Sequence, residues 1–106
     1  MEKVNIALAQ LSCEEGRIEK NLSRLDDVVD KYGHSHDLIV FPETFITGFL
    51  SPEVCRTLAE PLNGPIVKHI ERQAKKSNAS IVVGLYEKEG ENLYNTTVLV
   101  GPTGLL

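Results

Sequence analysis

The chain has 106 residues, of which 42% are hydrophobic and 25% charged, and a formal net charge of −4. That length holds one small domain rather than two, and the composition is that of a folded chain rather than a disordered one. The acidic balance argues against a nucleic-acid or anionic-membrane surface, since both require a basic face, and no apolar run approaches the roughly 20 residues that span a bilayer.

The first residues, MEKVNIALAQL, carry a short apolar stretch already interrupted by Asn5 and Gln10. They lack the apolar core and small-residue cleavage site of a signal peptide, so a cytoplasmic location is expected. Val4 to Leu11 reads as a strand, with Val4, Ile6 and Leu8 on one face and Ala7, Ala9 and Leu11 on the other. Both faces are largely apolar, as in a strand covered on both sides. Ser12 and Glu15 then have capping-box spacing, weakened by Gly16. Ile18, Leu22, Leu25, Val29 and Tyr32 recur every three or four residues and form one helical stripe. Gly33 is placed to stop this helix in a left-handed conformation. Asp37 to Phe41 is a second strand, so strand, helix and strand predict a parallel βαβ unit.

Ser51-Pro52-Glu53 signals a short helix that ends before Pro61, and Asn63-Gly64-Pro65 repeats the signal. Ile66, Val67, Ile70 and Ala74 give the second main amphipathic helix, with Lys75 and Lys76 in its last turn complementing the dipole. Ser80 to Leu85 is a third strand and Leu93 to Val100 a fourth, joined as a hairpin through Glu89-Gly90-Glu91-Asn92. Gly101 to Gly104 is a further turn, and Leu105-Leu106 reads as the start of another strand. The order predicts an α/β fold of four strands and two main helices. Two helices cover one face of such a sheet. Strands as apolar as LIVF call for a cover on the other face too, from more chain or a partner.

The segment DLIVFPETFITGF carries the chief candidate for chemistry. Pro42 lacks an N–H and holds Phe41 extended, so strand pairing is expected to stop there. Glu43 then falls just beyond the carboxyl end of a parallel strand, where open α/β sheets bind ligands. A carboxylate desolvated by apolar neighbours there suits a general base. The alternative is a surface glutamate pointing into water. Phe45 and Phe49 follow it and either line a substrate pocket with apolar rings or pack in the core.

Cys13 and Cys55 have neither CxxC nor metal-ligand spacing and no activating neighbours, and are read as free, small hydrophobic side chains. His34, His36 and His69 are read as solvated, so no metal site is expected. Gly84, Gly90, Gly101 and Gly104 are turn or packing glycines rather than a phosphate loop. Asn-x-Ser/Thr triplets at Asn21, Asn78 and Asn95 are read as chance.

Four pieces in register resemble the nitrilase, or carbon–nitrogen hydrolase, superfamily. They are VNIALAQL, the helix with Asn21-Leu22 in its middle, DLIVFPETFITGF, and SIVVGLYEK followed by LYNTTVLVGPTG with its Tyr-Asn-Thr signature. The resemblance implies an α-β-β-α sandwich that pairs as a homo-oligomer. It also implies cleavage of a non-peptide carbon–nitrogen bond in a small amide, carbamoyl compound or nitrile, with no cofactor. Thr47-Gly48-Phe49 is closer to the amidase and carbamoylase branches. Glu43 matches the glutamate of the family's Glu-Lys-Cys triad. The lysine and cysteine match no residue here, because they come after the turn at Gly101 to Gly104. Residues 1–106 are thus expected to be the N-terminal portion of a single hydrolase domain, inactive alone. The rival expectation is a non-catalytic module that self-associates through its exposed sheet face.

Overall fold

The computed structural model describes residues 2–106. Five strands form one sheet in sequential order: β1 (Ile6–Leu8), β2 (Leu38–Val40), β3 (Ser80–Glu89), β4 (Asn92–Gly101) and β5 (Gly104–Leu105). β1, β2 and β3 are mutually parallel; β4 and β5 continue antiparallel. Among the described residues the α-helices are α1 (Ile18–Tyr32), α2 (Pro52–Leu58) and α3 (Pro65–Ser77), with a 3-10 turn at Gly33–Ser35 after α1. Leu105-Leu106 does not merely begin a strand: Gly104 and Leu105 pair back onto Gly101 and Val100, giving a fifth strand beyond the four expected.

The helical stripes fall where the periodicity places them except at Tyr32, which is 39% exposed at the end of α1. Leu25 and Val29 of α1, with Ile66, Val67, Ile70 and Ala74 of α3, pack on Ile39, Ile81, Val83, Leu85, Val98 and Val100 of the sheet. The opposite face is bare. Ile6 is 52% exposed, Leu8 76% and Leu99 40%. Fully burying such a side chain is worth about 1.5–3 kcal/mol, a gain this chain leaves unrealised on that face.

Three local expectations are corrected. α1 begins at Ile18 with Arg17 at its N-cap and no side-chain cap, so the Ser12–Glu15 box does not form. Gly16 takes a left-handed φ of 72°, which a helix cannot contain, and the Asn21 amide organises this loop instead. Gly33 is right-handed, with φ −59°. Its role is packing: a Cβ there would lie 2.6 Å from the Ser77 Cβ. β1 is also shorter than the apolar run, ending at Leu8.

α2 starts as expected, with Ser51 as N-cap accepting from the Val54 N–H and Pro52 in the first turn. α3 has Gly64 at its N-cap, and the Glu60 carboxylate accepts from the Ile66 N–H at 2.9 Å in place of a local cap. It ends on Asn78 in the left-handed conformation. Among the described residues no helix is long and apolar enough to cross a membrane.

Candidate functional site

Pairing along β2 fades rather than stops at Pro42. The Phe41 N–H still donates to the Val82 carbonyl at 2.7 Å, and the Gly84 N–H donates to the Pro42 carbonyl at 3.3 Å. The chain then coils into a tight turn. The Pro42 carbonyl also accepts from the Phe45 N–H, and the Thr44 carbonyl accepts from Thr47 at 3.3 Å and Gly48 at 2.7 Å. Thr44 adopts a left-handed φ of 51°, a strained choice for a residue with a Cβ. That strain costs about 1–3 kcal/mol. Phe45 and Ile46, both with no solvent exposure, offset it by roughly 1.5–3 kcal/mol each. Burial wins, and the turn is fixed.

Two further contacts lock this turn. The first is Gly84. Val83 and Leu85 face the helices, so position 84 faces the bare side. A Cβ there would lie 2.3 Å from the Thr44 nitrogen and 2.7 Å from the Glu43 Cα. Only glycine lets the Glu43–Thr44 peptide rest directly on β3. The second is Asn21, whose side chain is fully buried. Its carbonyl oxygen accepts from the Glu14 N–H at 2.8 Å. Its amide donates to the Glu14 carbonyl at 2.8 Å and to the Ile46 carbonyl at 2.9 Å. The Gly16 N–H adds a bond to the Thr47 carbonyl at 2.8 Å. The loop before α1 and the turn after β2 are thereby tied into one unit.

Glu43 is therefore the exposed residue at the start of an otherwise buried turn, lying over the bare face of the sheet. The apolar surroundings expected to desolvate it are not supplied by the described residues, among which Glu43 stays exposed. Its Oε1 accepts a hydrogen bond from the Asn95 side-chain amide on β4. Phe45 sits in the core, its ring 5.4 Å from that of Phe41. Phe49 is 68% exposed, beyond the end of the turn. The sequence places the two rings together as pocket candidates; the structure separates them.

Beside Asn95 lies a shallow cleft of about 230 Å³, walled by Leu50, Pro52, Cys55, Tyr86, Leu93 and Tyr94. Wider grooves of about 400 and 530 Å³ run along the helices, lined by other residues, and have no part of the Glu43 turn in their walls. Cys55 is buried, and burial pushes its thiol pKa up, the reverse of what a nucleophile needs. His69, expected in solvent, is half-buried instead, with Nε2 2.7 Å from Asp26 Oδ1 in a link between α3 and α1. His36 is also half-buried, its Nδ1 2.9 Å from the Tyr32 carbonyl oxygen. No cluster of three or more metal-ligating side chains occurs among the described residues.

Three residues of this site escape a reading by residue type: Asn21, Gly84 and Asn95. Two had a physical signal. Asn21 lies one turn before Leu25 on the buried stripe, and Gly84 interrupts an apolar strand, a pattern that marks close backbone approach. Asn95 stands at an ordinary polar position of a strand, and only its place in the Tyr-Asn-Thr signature marked it.

Comparisons with known proteins agree with this architecture. Residues 5–106 match the family model described as carbon-nitrogen hydrolase. An (R)-stereoselective amidase from a Pseudomonas species is 32% identical over 96% of this chain and 37% of its own length. A nitrilase from Pyrococcus abyssi is 29% identical over 97% of this chain and 41% of its own. The chain thus spans about two-fifths of the length of these curated relatives. A solved carbon–nitrogen hydrolase superfamily protein from Xanthomonas campestris, with an arsenic adduct in its active site, superposes with a TM-score of 0.90. It is 27% identical, over all of this chain and 40% of that one.

Proposed function

We propose that this chain, which belongs to the carbon–nitrogen hydrolase family, supplies the general base of an amidase-type active site, and that the base is Glu43. The observation that carries the reading is placement. Glu43 is held by a buried turn just beyond the carboxyl end of a parallel strand, over the bare face of the sheet. Such crevices are where open α/β sheets take ligands. The substrate class we assign is a small aliphatic amide or carbamoyl compound with a non-peptide carbon–nitrogen bond, and the setting is cytoplasmic.

In this reading residues 1–106 are the N-terminal portion of one hydrolase domain. The rest of the domain covers the bare face, desolvates Glu43, and brings a thiol and a lysine to it. The enzyme pairs as a homo-oligomer. The Glu43 carboxylate takes the thiol proton as sulfur attacks the amide carbon, and the carbonyl electron pair moves to oxygen. A cation stabilises that oxygen. Collapse expels the amine, which leaves with the proton from Glu43. The carboxylate then takes a proton from water as it attacks the thioester, and the carboxylic acid and thiol are released. Neither cysteine of this chain serves as the thiol: Cys55 is buried with a raised pKa, and Cys13 shows no bond to a base.

Substituting Glu43→Gln in the complete enzyme tests the reading. General-base catalysis contributes roughly 10²–10⁴-fold, so kcat is expected to fall by about 10³ with folding intact. Turnover within threefold of wild type would refute it. Residues 1–106 alone are expected to show no amide hydrolysis.

A further inference from the structure

We infer that Asn95 is a positioning residue for the Glu43 carboxylate, holding Oε1 so that the proton travels through Oε2. This rests on the proposed role of Glu43 as the base.

The geometry begins with the hairpin. β2 ends at Val40 opposite Val82, but β3 and β4 run on past it for a further seven residues of β3, to Glu89. The overhang brings β4 alongside the turn that carries Glu43. Val98 and Val100 of β4 face the core, so alternation puts Asn95 and Thr97 on the bare face. Thr97 is opposite Gly84, the residue on which the Glu43–Thr44 peptide rests, and Asn95 is opposite Tyr86, two residues further out. Because Gly84 has no side chain, the carboxylate comes low enough for the Asn95 Nδ2 to donate to its Oε1.

The chemistry of the donor matters. An amide N–H can only donate. A carboxylate accepts at both oxygens, and a carboxyl protonated on Oε2 still accepts at the carbonyl oxygen Oε1. The Asn95 bond therefore survives both states of the base, provided the proton goes to Oε2. Protonation on Oε1 turns that oxygen into a hydroxyl, a poorer acceptor, and weakens the bond. A lysine at this place would neutralise the carboxylate; the neutral amide orients it and leaves its charge. Among the described residues no Lys, Arg or His pairs with Glu43. Asn95 is exposed on its strand and contributes nothing to the core, so its orientation toward Glu43 has no packing explanation.

Asn95→Ala and the nearly isosteric Asn95→Asp, made in the complete enzyme and assayed on a simple aliphatic amide, test this. Misplacement of a catalytic group by about 1 Å costs up to roughly 10²-fold, so kcat is expected to fall about 10–100-fold, and further for Asn95→Asp, whose charge repels Glu43. KM is expected to stay within about twofold, and the urea midpoint of residues 1–106 to remain unchanged, because an exposed strand position is being altered. In the NMR spectrum of residues 1–106, a side-chain amide proton of Asn95 is expected downfield and to return to an ordinary position in Glu43→Ala. Loss confined to KM, kcat within twofold of wild type, or an Asn95 amide resonance indifferent to Glu43→Ala overturns the inference. If Glu43→Gln is inactive while the Asn95 variants are normal, only this inference fails. If Glu43→Gln is active, the reading beneath it fails as well.

Discussion

The two faces of this sheet have opposite fates. On the helix side Ile39, Ile81 and Val100 have no exposure, and Phe45 and Ile46 of the turn reach into the same core. On the other side Ile6, Leu8 and Leu99 stay in solvent, together with Glu43 and Asn95. The closed face holds the fold together. The open face carries the candidate chemistry, on a turn whose rigidity is drawn from the closed face through Phe45, Ile46 and Asn21. Stability and the proposed function are thus written on different residues, and substitutions can separate them.

The largest effect is expected where the closed face is emptied. Ile81→Ala removes a fully buried side chain at the centre of the sheet and should cost about 2–5 kcal/mol by urea unfolding of residues 1–106. A cost below about 1 kcal/mol would mean that the helix side is not the stabilising face. Next comes the junction between the faces. In Gly84→Ala the new Cβ meets backbone atoms of Glu43 and Thr44, which have no flexible end to move aside. Overpacking of that kind costs about 1–3 kcal/mol, and the turn must lift from β3, carrying Glu43 away from Asn95. Unfolding measurements and the Asn95 amide resonance should change together. An unchanged stability would show that the turn does not rest on β3.

A smaller effect is expected from Cys55. Burial raises its pKa in the folded chain above the unfolded value, so its contribution is complete below that unfolded value, about 8.5. It is lost as pH rises through the folded value. Stability should decline from about pH 8.5 upward, and Cys55→Ala should flatten that decline. The smallest effect belongs to the open face. Leu8→Ser alters a side chain that is 76% exposed and should change stability by no more than about 0.5 kcal/mol. A large loss there would show that residues 1–106 already cover this face, by self-association, and would erase the contrast between the faces.

Much of this was legible in the sequence. The helical stripes, the βαβ order, the hairpin and the position of Glu43 after β2 follow from period, punctuation and strand ends. The bare face was legible too, as an excess of apolar residues over available helices. What period and composition do not encode is contact between distant residues. Gly33 has the position of a helix stop, but the chain runs on through it into a right-handed 3-10 turn over Gly33–Ser35, and Ser77 packs against it. Ser12 and Glu15 have capping spacing, but the Asn21 amide takes over the loop. Phe45 and Phe49 look alike along the chain, and only the coil of the turn sends one into the core and the other into solvent. Asn95 meets Glu43 across 52 residues through the overhang of a hairpin, a relation that no local pattern carries.

The central claim is that placement, not charge alone, makes Glu43 a base. Glu43→Asp keeps the carboxylate and withdraws it by one methylene, away from Asn95 and from the position the turn defines. Measured as kcat in the complete enzyme beside Glu43→Gln, it is expected to lose about 10²-fold or more while KM and the unfolding midpoint hold. An aspartate variant with a kcat close to wild type would contradict the claim, because any carboxylate near the end of β2 would then suffice.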